Sequence, residues 1–166
     1  MNQYGAKQYT KGLSRLTGHF YRLPTEAAGE YACRAGTTTS FYFGDDDQKL
    51  VDFAWYYEKS DEDTHPVGLK KTNRWGLYEM HGNVSEWGLG QYCETYAPLR
   101  KIIAAGKEPV HWPTPLHPRT VRGGSWESDA VDCQSVARTG STVEWQAYDP
   151  MLLRSAACLT ACGHPV

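Results

Sequence analysis

Residues 75–87 read Trp75-Gly76-Leu77-Tyr78-Glu79-Met80-His81-Gly82-Asn83-Val84-Ser85-Glu86-Trp87. Gly82-Asn83 is a turn former, so the run bends in its middle. Read alone, Glu79 and Glu86 are solvated surface charges, and Asn83-Val84-Ser85 is a glycosylation sequon of little weight because it lies in a stretch expected to pack. Two more stretches frame this one: Leu23-Pro24-Thr25-Glu26-Ala27 before it and Arg122-Gly123-Gly124-Ser125-Trp126 after it.

Upstream, Ala6, Tyr9, Leu13 and Leu16 recur at spacings of 3, 4 and 3. That predicts a helix over 6–17 with these four on one face and Gly18 as its stop. Gly12 inside it costs about 1 kcal/mol relative to Ala. Thr25, preceded by Pro24, predicts the N-cap of a second helix ending near Gly36. Downstream, turn formers crowd the chain at Gly44-Asp45-Asp46-Asp47, Gly82-Asn83 and Gly123-Gly124, with prolines at 98, 109, 113, 115 and 118. Short strands and long loops follow from this, with 97–119 as a proline-rich surface excursion.

The 166 residues fit one domain, 1–166, without an internal repeat. With 17 basic and 19 acidic side chains the chain is near neutral, which gives no electrostatic case for nucleic acid or an anionic membrane. No apolar run approaches the ~20 residues that span a bilayer. Met1-Asn2-Gln3-Tyr4-Gly5 lacks the basic start of a secretory signal, so the expected location is cytoplasmic. Five cysteines (Cys33, Cys93, Cys133, Cys158, Cys162) are odd in number and irregularly spaced, and read as reduced thiols partly buried as small hydrophobes.

The three framed motifs, in this order and at this spacing, resemble the sulfatase-modifying-factor family. That family includes formylglycine-generating enzymes and many non-enzymatic relatives with a C-type-lectin-like fold. The resemblance covers residues 6–150. It implies an α+β fold: two N-terminal helices, then short strands and long loops with little regular secondary structure. Catalytic members carry further strands before the first helix and end in a Gly-Phe-Arg strand. The chain therefore reads as an incomplete copy, about the C-terminal two-thirds of a full domain, with an open sheet edge.

Several positions depart from the family's pattern. Ala28 and Gly29 stand where a Glu and a Trp are usual. Ala28 removes the reciprocal half of the capping box that Thr25 begins. Gly29 removes an aromatic contact worth about 3–5 kcal/mol in a packed core and adds the entropic penalty of a mid-helix glycine. Ser85 stands for a Trp that lines the groove of catalytic members, and Gly88 stands where a Cys often sits.

By the same resemblance, a family calcium ion is held by an acidic or Asn side chain, two backbone carbonyls and a Glu. The matching positions are Glu79, Gly82, Val84 and Glu86. Such oxygen donors suit Ca²⁺, although Glu79 is one methylene longer than the usual acid. Catalytic members bind Cu(I) between two cysteines placed three and eight residues after the serine of Gly-Gly-Ser. With it they convert the cysteine of a sulfatase Cys-x-Pro-x-Arg segment to formylglycine. Here that serine is Ser125, and the two positions are Ser128 and Cys133. Soft Cu(I) selects thiolates, and a hard hydroxyl is a poor substitute. The implied catalytic set Cys133, Ser128 and Ser125 thus lacks one thiol, and an inactive oxidase scaffold is expected. Asp132-Cys133 also reads as a core pair, as in non-catalytic relatives.

Three functions stay open. The first is a formylglycine-generating oxidase. The second is a non-catalytic lectin-like domain that binds a ligand or protein through loops 85–119 and 126–150, with Trp112, Trp126, Trp145 and Tyr148 as anchors. The third is a non-functional remnant. Cys158, Cys162 and His164 have the residue types of a zinc half-site but lack a second cluster. His65, His81, His111 and His117 read as turn or core hydrogen-bonders. Asp45-Asp46-Asp47 reads as a solvated turn.

Overall fold

The computed structural model describes residues 2–115 and 117–142. Two helices lead, α1 (Gln3–Thr17) and α2 (Glu26–Arg34). A long stretch built mostly of loops and short 3₁₀ turns follows. Then come β1 (Glu86–Gln91), α3 (Ala97–Ala104), β2 (Arg119–Arg122) and β3 (Thr139–Gly140). This is the expected mixture of helix and a small antiparallel sheet with little regular structure.

α1 starts three residues before its apolar periodicity, because the Asn2 side chain accepts the Gly5 N–H at 2.9 Å and caps it there. It stops at Gly18 as expected, in the left-handed region at φ 72°. Its expected face is corrected. Gln3, Ala6 and Thr10 are the buried residues, whereas Tyr9 and Leu16 are 54% and 84% exposed. The Gln3 amide donates to the Gly88 carbonyl at 2.6 Å, so a polar anchor sets the helix's rotation against β1.

α2 is capped by the Thr25 hydroxyl, which accepts the Ala28 N–H at 3.1 Å. It ends one turn position before Gly36, at Ala35 in the left-handed region. Asn73 donates to the carbonyls of Ala32 and Cys33 at 2.7 and 3.2 Å, which satisfies groups a helix end leaves open. At Gly29 a β-carbon would meet no atom within 4 Å, so the aromatic that this position lacks leaves open space. The 97–119 excursion carries a helix that its prolines did not announce, and that helix buries none of its residues. This is α3, whose Pro98 occupies the first turn, where a missing N–H costs nothing.

In the sheet, β2 lies between β1 and β3, and both pairings are antiparallel. Trp87 pairs with Val121, and the register then shifts before Gln91 meets Arg119. Under the sheet, Ala6, Leu23, Trp87, Leu89, Val110 and Val121 form one apolar cluster. Phe41, Leu50, Ala54, Tyr56 and Cys133 form another on the loop side. α2 is tied across the strands by charge: Arg138 donates to both oxygens of Glu26 at 2.5 and 2.8 Å, and Arg122 pairs with Glu30. Among the described residues no helix is long and apolar enough to cross a membrane.

Candidate functional site

The 79–86 bend and the 122–126 turn are stitched together by backbone. The Gly82 N–H donates to the Gly123 carbonyl at 2.7 Å, and the Trp126 N–H donates to the Asn83 carbonyl at 2.9 Å. Asn83 is fully buried and its side chain closes a reciprocal pair with the His65 backbone, accepting at 2.9 Å and donating at 3.0 Å. The acceptor Asn83 of the sequon therefore sits in the packed interior.

Glu79 is buried, with its backbone at φ 50°, and its carboxylate accepts the Gly68 N–H at 2.9 and 3.2 Å. Glu86 opens β1 and is partly buried. Burial, and then the charge of Glu79, pushes the Glu86 carboxyl up to about 8. The two acids thus sense each other across one corner, and Gly82 and Val84, both buried, form the backbone between them. Neither acid is the solvated charge that its residue type alone suggests.

The Gly-Gly-Ser turn also lines a cleft of about 150 Å³, together with Ser85, Arg122, Ser128 and Asp132 among others. Ser125 and Ser128 are brought together. The Ser125 N–H donates to the Ser128 hydroxyl at 2.9 Å, and the two hydroxyls are 3.2 Å apart. Cys133 does not line the cleft. It is fully buried among Phe41, Leu50, Ala54 and Tyr56, and burial pushes its thiol up to about 12.

His81 is a core hydrogen-bonder. Its Nδ1 donates to the Cys133 carbonyl at 2.7 Å, its Nε2 accepts the Tyr42 N–H at 3.3 Å, and burial holds it down at about 4. His65 stacks on Trp55, with ring centroids 3.7 Å apart, and helps build the turn. His117 meets the Ser141 hydroxyl at 3.0 Å.

The sulfatase-modifying factor enzyme 1-like domain matches residues 1–149 of this chain. The chain belongs to the sulfatase-modifying-factor family. It is 34% identical over 118 residues to the formylglycine-generating enzyme of Mycobacterium tuberculosis, covering 63% of this chain and 39% of that relative. Among solved structures it is similar to PvdO from Pseudomonas aeruginosa, at 30% identity and TM-score 0.72, covering 86% of this chain and 54% of that one. Treponema denticola variable protein 1 is 31% identical with TM-score 0.64, covering 75% and 43%. The chain thus spans about two fifths of the curated relative's length and about half of either solved neighbour.

The second and third motifs therefore meet at this corner and cleft, through the backbone bonds of Gly82 with Gly123 and of Asn83 with Trp126. Of the proposed aromatic anchors, Trp112 is 58% exposed and Trp126 is half-buried with its indole nitrogen enclosed. Trp145 and Tyr148 lie outside the described residues, as do Cys158, Cys162 and His164. Asp45 and Asp46 form a solvated turn, accepting the N–H groups of Ser40 and Gln48 at 2.7 and 3.2 Å. Sequence reading missed Arg122 and Asp132 at the cleft. Arg122 directly before Gly-Gly-Ser and Asp132 directly before Cys133 were the available signal.

Proposed function

We propose that this chain is a sulfatase-modifying-factor domain without oxidase chemistry, a binding domain whose Ser85–Ser128 cleft takes a peptide or protein segment. The observation that carries this is the fate of the two copper positions. Ser128 offers a hydroxyl already engaged with Ser125, and Cys133 is a protonated thiol inside the core. A two-thiolate Cu(I) site does not fit these residues. The partner is a protein rather than nucleic acid, in keeping with the formal net charge of −2. A sulfatase-type Cys-x-Pro-x-Arg segment is the first candidate, bound without being oxidised.

The corner residues carry the donor types that a hard cation takes. Glu79 and Glu86 supply carboxylates, and Gly82 and Val84 supply carbonyls. A divalent ion would offset the burial, and the smaller repulsion from Glu79, that raise Glu86. When bound, Ca²⁺ supplies charge that fixes the corner next to the cleft, and it takes no part in a reaction.

Cu(I) titration against a competing chelator, with a Cys-x-Pro-x-Arg peptide followed by mass, tests the reading. We expect no retained copper at this cleft and no mass change at the peptide cysteine, with peptide binding measurable by fluorescence anisotropy. Copper-dependent oxidation of the peptide would overturn it.

A further inference from the structure

Two of the three described cysteines are sealed: Cys33 and Cys133 are buried, and burial pushes their thiols up to about 11 and about 12. Cys93 differs. It is partly exposed, and its Sγ lies 3.0 Å from Nδ1 of His111. At that distance the imidazole can accept the thiol proton, the arrangement of a nucleophile with its base.

The backbone holds both partners in place. The Gln91 N–H donates to the His111 carbonyl at 2.8 Å, pinning that segment to the end of β1. Arg138 donates to the Cys93 carbonyl at 2.7 Å, while Glu26 grips the same guanidinium from α2. The guanidinium also stacks over Tyr92 and Tyr96 at 4.8 and 4.3 Å. Arg138 and Glu26, with the exposed Glu94 beside Cys93, are charged groups next to the pair. A thiol and an imidazole fixed this way meet without reorganisation, and Cys93 is the described cysteine that a dissolved reagent can reach.

We propose that Cys93 and His111 form a reactive thiol–imidazole pair that exchanges with small-molecule disulfides and carries a mixed disulfide on Cys93. His111 Nδ1 takes the thiol proton, and the sulfur's electron pair attacks one sulfur of the disulfide. The S–S bond breaks as the new one forms, and the departing thiolate takes the proton back from the imidazolium. Cys93 is oxidised and the released thiol is reduced, so the disulfide is the whole oxidant. The pair lies outside the Ser85–Ser128 cleft, so the two proposals stand or fall separately.

The test is incubation of the full chain with oxidised glutathione, with adducts assigned by peptide mapping so that Cys158 and Cys162 are scored apart. In the native chain Cys93 should react at least about tenfold faster than Cys33 or Cys133, and about tenfold faster than Cys93 in urea-unfolded chain. His111→Gln should slow the reaction about tenfold near neutrality, with the gap closing near pH ~9.5, where thiols ionise unaided. A histidine that only shapes the loop would change the rate by one factor at every pH. Equal native and unfolded rates at Cys93, or a pH-independent effect of His111→Gln, would overturn the proposal. The native-against-unfolded comparison uses the unmutated chain, so it decides the matter even if the variant does not fold.

Discussion

A β-carbon on Gly124 would stand 2.7 Å from the Sγ of Cys133, so the Gly-Gly-Ser turn and the buried thiol are in direct contact. The turn sends Ser125 toward the cleft while Cys133 stays with Phe41 and Leu50 in the core. Gly124 also sits at φ 70°, where side chains are disfavoured. Gly124→Ala therefore combines overpacking with backbone strain. We expect a loss on the order of 3 kcal/mol, read as a lower urea midpoint at unchanged slope. Unchanged stability would show that the contact is not held in solution.

Gly29 is the opposite case. It lies inside α2 in open space, so a methyl group fits and the chain loses backbone freedom in the unfolded state. Gly29→Ala should raise stability by about 0.5–1 kcal/mol in the same urea titration. Destabilisation would mean that α2 needs the gap.

Signals carried by neighbouring residues were legible in the sequence. Thr25 and Gly18 announced a cap and a stop because each acts within one turn of its own helix. The three motifs were legible as a family pattern, but the contact of the 79–86 bend with the 122–126 turn, about 40 residues apart in the chain, emerges only in the fold. The rotation of α1 was not legible, since it depends on Gln3 reaching Gly88, 85 residues away. Tyr9 and Leu16 are apolar and periodic, yet that one buried amide turns them outward. α3 was hidden by Pro98, a helix breaker elsewhere but harmless in a first turn. The Cys93–His111 contact was out of reach because it forms only after β1 pairs and the segment from 108 to 112 folds back along it. At the site, residue types suggested two solvated acids, and only the fold shows that burial, with a smaller part from Glu79, raises the Glu86 carboxyl.

Asn83 ties the 65 and 126 segments to its own bend at one corner. Its side chain satisfies both backbone groups of His65, and its carbonyl receives the Trp126 N–H. Asn83→Ala removes the partner of both part-buried His65 backbone groups and puts Ala at φ 62°. We expect a loss of about 2–4 kcal/mol, measured by urea or thermal unfolding. The same burial predicts that the folded chain accepts no glycan at this sequon, which mass measurement after exposure to an oligosaccharyltransferase would check.

Calcium at the corner would leave a signature in pH. Glu86 holds its proton up to about 8, whereas an unfolded glutamate releases it near 4.5. Between those values the folded chain binds the extra proton, so this group's contribution to stability falls as pH rises across that window. His81 works the other way between about 4 and 6.5, because its folded form resists protonation, so wild type must be compared with Glu86→Gln at each pH. Calcium competes with the Glu86 proton. The rise in Tm produced by calcium over chelator should therefore be larger near pH ~8.5 than near pH ~5.5. Glu86→Gln should abolish that rise, and in chelator its Tm should gain on wild type as pH increases. A calcium effect of equal size at both pH values, or one that survives Glu86→Gln, would remove Glu86 from the ligand set.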